Sequence, residues 1–193
     1  MVEQNRKTKE TDIKCKLDIN GTGKSNIDTG VGFFDHMLEA LSKHSGMDLE
    51  LSCKGDLHID AHHTVEDCGI VMGKALKQEI FPIQAVERYG NATVVMDEAA
   101  TTCALDLSNR PYWVYDVNVS GKVGDFDVEL AEEFFHALSG NAGLTVHIIQ
   151  DRGRNKHHIL EASFKAFAVA LRRALVKNER LGIPSTKGIL WLN

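Results

Sequence analysis

Small and apolar residues recur at helical spacing over two stretches: Val65, Gly69, Met72, Leu76 and Ile80 at steps of three and four in one, and Ile159, Phe164, Phe167 and Leu171 at steps of five, three and four in the other. That period lays one face of an α-helix against a core, so it predicts two long amphipathic helices. Short runs with β character precede them. Asp48-Leu49-Glu50-Leu51-Ser52 alternates cleanly, whereas Leu144-Thr145-Val146-His147-Ile148-Ile149 is β-rich without clean alternation. Each reads as a strand feeding a helix. Between the halves, Ala92-Thr93-Val94-Val95-Met96 and Tyr112-Trp113-Val114-Tyr115 read as paired strands that join them. Turn-forming clusters at Asn20-Gly21-Thr22-Gly23, Asn109-Arg110-Pro111 and Asp151-Arg152-Gly153-Arg154-Asn155 mark loops, none long enough to link separate domains.

The two helices begin alike. His62-His63-Thr64-Val65-Glu66 opens the first, and His157-His158-Ile159-Leu160-Glu161 opens the second. One His-His-x-x-Glu would arise by chance in about three of a hundred shuffled chains, so two copies call for a cause. The flanks repeat as well: sliding the chain by 97 residues sets His44-Ser45-Gly46-Met47 over Asn141-Ala142-Gly143-Leu144 and His36 over Glu133. The second motif then arrives two residues early, as a shortened loop would require. The chain therefore reads as an α+β fold, one domain over 1–193 built of two half-units at about 10–90 and 91–180, with helices packed between sheets.

Metal chemistry follows from the motifs. On a helix the second His and the Glu, at i and i+3, share a face, while the first His ends the loop and points elsewhere. Adjacent histidines can then serve two different ions. His62, His63, Glu66, His157, His158 and Glu161, with the pair His36 and Glu133, make eight ligands, enough for two ions of four each. His136 competes with Glu133, three residues on along the same helix; the repeat register favours Glu133. Imidazole with carboxylate and no thiolate suits Mn, Fe, Co, Ni or Zn, and four ligands on an octahedral ion leave positions open for substrate. His44, His58 and His147 stand outside the pattern and receive no role.

Composition narrows the class. With 193 residues, 43% of them hydrophobic, and a formal charge of −5, the chain suits one compact domain with no basic surface for nucleic acid. No apolar run approaches a membrane span, and Met1 to Asp12 has no signal-peptide core, so the expected place is the cytoplasm. Cys15, Cys53, Cys68 and Cys103 are scattered, as reduced thiols used for packing would be. Arg88, Arg110, Lys165 and Lys187 lie near turns or on a motif helix, and Pro184-Ser185-Thr186-Lys187-Gly188 offers hydroxyls and an ammonium in one loop. That set has the chemistry of a phosphate site.

Asp35-His36-Met37-Leu38, the two His-His-x-x-Glu motifs, Asn109-Arg110-Pro111-Tyr112 and Ser185-Thr186-Lys187-Gly188 together resemble the imidazoleglycerol-phosphate dehydratase family, from about Arg6 to Gly188. The resemblance implies a hydro-lyase of histidine biosynthesis that binds two Mn²⁺ and converts D-erythro-imidazole glycerol phosphate to imidazole acetol phosphate. It also implies trimers assembled into a 24-subunit shell with sites between subunits. A substrate imidazole held between two ions could expel the hydroxyl through a diazafulvene-like intermediate. Carried over, Glu10 becomes the acid/base residue, and Arg88, Arg110, Lys165, Ser185 and Lys187 bind substrate phosphate. Asp35 and Asp67 are expected to orient ligating imidazoles. Some relatives carry His at the position of Glu133, and Ser is common at Thr186.

Overall fold

The computed structural model describes residues 1–189. The first half contributes strands β1 (Val2–Lys7), β2 (Thr11–Asp18), β3 (Ser25–Asp28) and β4 (Asp48–Gly55), with helices α1 (Gly32–Ser45) and α2 (His62–Ile80). The second contributes β5 (Tyr89–Met96), β6 (Ala99–Asp106), β7 (Tyr112–Asp116) and β10 (Thr145–Arg152), with α3 (Leu130–Ala142) and α4 (Lys156–Ala174). A small hairpin, β8 (Lys122–Val123) and β9 (Phe126–Asp127), is inserted in the second half alone.

The sheets have matching topology, β1-β2-β4-β3 and β5-β6-β10-β7. In each, the first three strands in spatial order pair antiparallel and the fourth runs parallel to its neighbour. Alternation explains which faces are covered: Ile13, Cys15 and Leu17 point inward from β2, while Lys14 and Lys16 face out. The repeat of Gly46 at Gly143 also has a backbone reason. Both end a helix in the left-handed conformation, at φ 81° and 72°, where glycine carries no Cβ penalty.

Helices cross between halves. α2 packs on α3 and α1 on α4, while α2 also covers β1 and β2 and α4 covers β5 and β6. Phe34, Phe134, Phe135, Phe164 and Phe167 are fully buried, with Phe135 and Phe164 ring centroids 4.6 Å apart. These rings stitch α1, α3 and α4 together.

The fold bears out the mixed α/β reading and corrects one detail. β5 and β7 do not pair and do not bridge the halves; they are the two edges of the second sheet. The turn at Asp97-Glu98 folds β5 onto β6, a strand hidden in the weakly patterned run Ala99–Asp106. All four cysteines are buried and free, and no described helix is long and apolar enough to cross a membrane.

Candidate functional site

An Asx side chain stands two residues before the first histidine of each motif helix, as the N-cap of α4 and one residue ahead of the Ala61 N-cap of α2. Asp60 Oδ1 accepts the His62 backbone N–H at 2.8 Å, and Asn155 Oδ1 accepts that of His157 at 3.0 Å. The caps satisfy otherwise orphaned donors and begin the helix at or before the first His. It is therefore the first His, at i and i+4, that stands over the Glu, and not the second as the spacing suggested. His157 Nε2 lies 3.0 Å from Glu161 Oε2, and His62 Nε2 lies 3.7 Å from Glu66 Oε2. The second His is turned about 100° away around the helix.

α1 delivers His36 to the second motif. Its Nε2 is 3.5 Å from Glu161 Oε2, and ligand atoms of His36, His157 and Glu161 all fall within 4.8 Å of one another. This is the one three-ligand group of its kind among the described residues. The donors fit a first-row divalent ion, with two imidazole nitrogens and a buried carboxylate oxygen. The other Glu161 oxygen is held by Lys165 Nζ at 2.6 Å. Burial works to raise the Glu161 carboxyl, yet Lys165 and His157 outweigh it and leave the group below its usual range.

The first motif opens α2, which packs against α3. α2 and α3 approach so closely that a Cβ on Gly69 would meet the Phe134 carbonyl oxygen at 2.8 Å and Ala137 Cβ at 3.0 Å. A Cβ on Gly73 would meet Asn141 Cβ at 2.8 Å. Gly69 thus lies beside Ala137 and Gly73 beside Asn141, so the helices run side by side in the same direction. One turn earlier, the same register sets Glu133 beside Val65, the residue before Glu66 in α2. His136 instead stacks on Trp113, ring centroids 6.1 Å apart.

His63 and His158 point to their own carboxylates. His63 Nδ1 is 2.9 Å from Asp56 Oδ2, and its Nε2 is 3.9 Å from Glu10 Oε1. His158 Nδ1 is 2.8 Å from Glu98 Oε2. The Asp56 partner raises the His63 pKa above its ordinary value, and Glu98 does the same for His158. In return the His158 bond, with two backbone N–H donors, pulls Glu98 down to about 2.

Asp35 and Asp67 do not hold imidazoles. Asp35 accepts from the Thr29 N–H and hydroxyl, closing the turn before α1. Asp67 accepts from Arg6 Nε at 2.9 Å and from the Thr11 hydroxyl, pinning β1 and β2 to α2. Sequence reasoning passed over Asp56 and Glu98, the carboxylates that do hold ring nitrogens. A signal existed for Glu98: setting Thr11–Asp18 over Ala99–Asp106, 88 residues on, brings Glu10 over Glu98, each just before a strand. The 97-residue shift that aligns the helices hides this match.

Arg88, Arg110, Ser185, Thr186 and Lys187 line one cleft of about 740 Å³. Arg88 grips Asp106 with Nε and Nη2 at 2.7 and 3.0 Å and donates Nη1 to the Pro184 carbonyl at 2.8 Å. It therefore ties the C-terminal loop to the cleft wall, and the Asp106 contact raises its already high pKa. Lys165 and the metal-ligand candidates are not among the lining residues. Glu10 sits in the β1–β2 turn with its side chain half exposed.

A profile of the imidazoleglycerol-phosphate dehydratase family matches residues 29–171. The chain is 87% identical to the imidazoleglycerol-phosphate dehydratase of Aliarcobacter butzleri over 190 residues, 98% of this chain and all of that one. It is 65% identical to that of Campylobacter fetus subsp. fetus over the same share of both. Among solved structures it resembles the Staphylococcus aureus dehydratase, with a TM-score of 0.81 at 40% identity, covering 92% of this chain and all of that one. The Pyrococcus furiosus enzyme, solved in complex with (S)-C348, gives 0.83 at 40% identity over 96% and 99%.

Proposed function

The chain belongs to the imidazoleglycerol-phosphate dehydratase family and is a hydro-lyase, and from that premise we propose that it removes water from D-erythro-imidazole glycerol phosphate to give imidazole acetol phosphate in histidine biosynthesis. The observation that carries this reading is the cluster of His36, His157 and Glu161 at the start of α4, a three-ligand group suited to a first-row divalent ion; the internal repeat supports a second set of His62, Glu66 and Glu133 at the start of α2. His63 and His158, turned away from their own sets, are free to complete sets of neighbouring copies. Each ion would then have four protein ligands, with Mn²⁺ the favoured metal for this mixture of nitrogen and oxygen.

When bound, two such ions would act as Lewis acids and fix a substrate imidazole by its two nitrogens. The chain's residues do the rest. Glu10, exposed in its turn and 3.9 Å from His63 Nε2, takes the proton from the carbon next to the one that loses its hydroxyl, and that proton leaves with the hydroxyl as water. Arg88, Arg110, Ser185 and Lys187 anchor the phosphate in their cleft, and Lys165 lends its charge beside Glu161. Anchoring at a distance holds the ring in reacting geometry, which lowers the entropic part of the barrier.

Ligand sets, lone histidines and phosphate cleft occupy separate places on one chain, which supports self-association, in trimers and a 24-subunit shell, as the way a working site is completed. A single domain of two half-units acting in the cytoplasm fits that reading. Incubating the purified protein with imidazole glycerol phosphate tests it. Imidazole acetol phosphate should accumulate with no inorganic phosphate. Release of phosphate instead would mark a phosphoester hydrolase on the same scaffold.

A further inference from the structure

The two halves obtain the carboxylate behind their second histidine from different places. In the first half it comes from the loop between β4 and α2, where Asp56 meets His63 Nδ1 at 2.9 Å. The corresponding loop of the second half, Gly153-Arg154-Asn155, contains no acidic residue. There the β5–β6 turn reaches across instead, and Glu98 Oε2 meets His158 Nδ1 at 2.8 Å. The same carboxylate's Oε1 accepts the backbone N–H groups of Arg154 and Asn155, at 3.0 and 2.7 Å, so two backbone donors fix its orientation toward the His158 ring. Glu10 occupies the matching place in the β1–β2 turn but makes no such bond, its nearest approach being 3.9 Å from His63 Nε2.

We infer that Glu98 is a positioning residue: it takes the Nδ1–H of His158 and so leaves Nε2 as the lone-pair nitrogen for an ion, doing from a hairpin what Asp56 does for His63 from a loop. A metal-bound imidazole needs its second nitrogen to donate to a partner that fixes ring and tautomer. The division of labour has a consequence for the other half. Because Asp56 already orients His63, the hairpin carboxylate there is spare, and Glu10 is available for proton transfer. The duplicated fold thus turns one copy of a turn glutamate into a support and the other into an acid/base group.

The inference rests on the metal reading above, but its test reads metal binding and not turnover, so failure of the one does not mimic failure of the other. Glu98→Gln discriminates well. Its amide oxygen can keep the Arg154 and Asn155 N–H groups, which leaves the NH₂ facing His158 Nδ1 and selects the Nε2–H tautomer, the wrong one for a metal. Calorimetric titration of the assembled, metal-stripped protein with Mn²⁺ should show at least one ion bound about tenfold or more weakly in E98Q. E10Q should bind Mn²⁺ as the parent does. Unchanged Mn²⁺ affinity in a folded E98Q protein would overturn the assignment. If E98Q does not assemble, solid-state ¹⁵N NMR of the parent protein at alkaline pH decides: an Nδ1–H His158 ring supports the inference, and an Nε2–H ring refutes it.

Discussion

Glu10 illustrates how little a single residue reveals about itself. In the sequence it is an acidic residue near a terminus, and in the structure it is exposed; only the family match and the nearby His63 ring give it work. Replacing it with Ala should leave metal content and assembly unchanged and lower turnover by about 10²–10⁴, the usual worth of a general acid/base. Retained turnover would remove it from the mechanism. Arg88 is the opposite case, because most of its donors are already committed to Asp106 and Pro184. Arg88→Lys keeps the charge and loses the two-pronged grip, so it should raise KM roughly tenfold, the worth of one charged hydrogen bond, with a smaller change in kcat. The His63–Asp56 and His158–Glu98 pairs set a pH dependence as well. Both rings have raised pKa values, so their contribution to stability is present below about pH 6.5 and is lost as pH rises through the raised values. Both carboxylates are lowered, so theirs is present above about pH 4.5 and is lost only in stronger acid, near 2 for Glu98. Thermal unfolding of metal-stripped protein should therefore show highest stability in mild acid. With Mn²⁺ the trend should reverse, since the metal competes with those same ring protons.

Helices were the legible elements. Val65, Met72, Leu76 and Ile80 are all buried on α2, and Ile159, Phe164, Phe167 and Leu171 on α4, as the apolar period required. The start of each helix was not legible to the residue, and that one-residue difference decides whether the first or the second His faces the Glu. It depends on caps at Asp60 and Asn155 that the spacing alone does not weigh. β6 was missed for another reason: Ala99–Asp106 is made mostly of small residues with little β preference, and its place in the sheet comes from neighbours on both sides. Asp56 was invisible because its contact depends on a loop that periodicity says nothing about, and Glu98 showed only in the 88-residue strand register that the helix register hides. The closeness of α2 and α3 gives a sharper prediction. Gly69→Ala would push a methyl against the Phe134 carbonyl, costing about 1–3 kcal/mol by overpacking and shifting Glu66 relative to Glu133. A lowered melting temperature with weakened Mn²⁺ binding is expected. A fully stable variant would mean that the helices can part without cost.

Over the whole molecule, duplication organises everything: two sheets of one topology, helices crossed between halves, and a double-histidine motif at the start of each long helix. The repeat itself was plain in the sequence, while its departures were not, such as the inserted β8–β9 hairpin and the changed source of carboxylates. The outer faces have diverged too. The first sheet shows Lys14, Lys16 and Glu50 to solvent, whereas the second exposes Tyr89, Val95, Tyr112 and Ile149, a surface suited to contact between copies. If His63 completes a set belonging to another copy, then His36→Ala and His63→Ala proteins, each inactive alone, should regain part of the lost turnover when unfolded and reassembled together. No recovery in well-formed mixed assemblies would place each site within one chain. The most direct test of the central claim, a two-metal dehydratase site, is to strip the protein with chelator, add back Mn²⁺ in steps, and follow imidazole acetol phosphate alongside bound metal. Turnover that vanishes on stripping and returns as the bound metal approaches two ions per chain is the result expected; full turnover by the metal-free protein would contradict it.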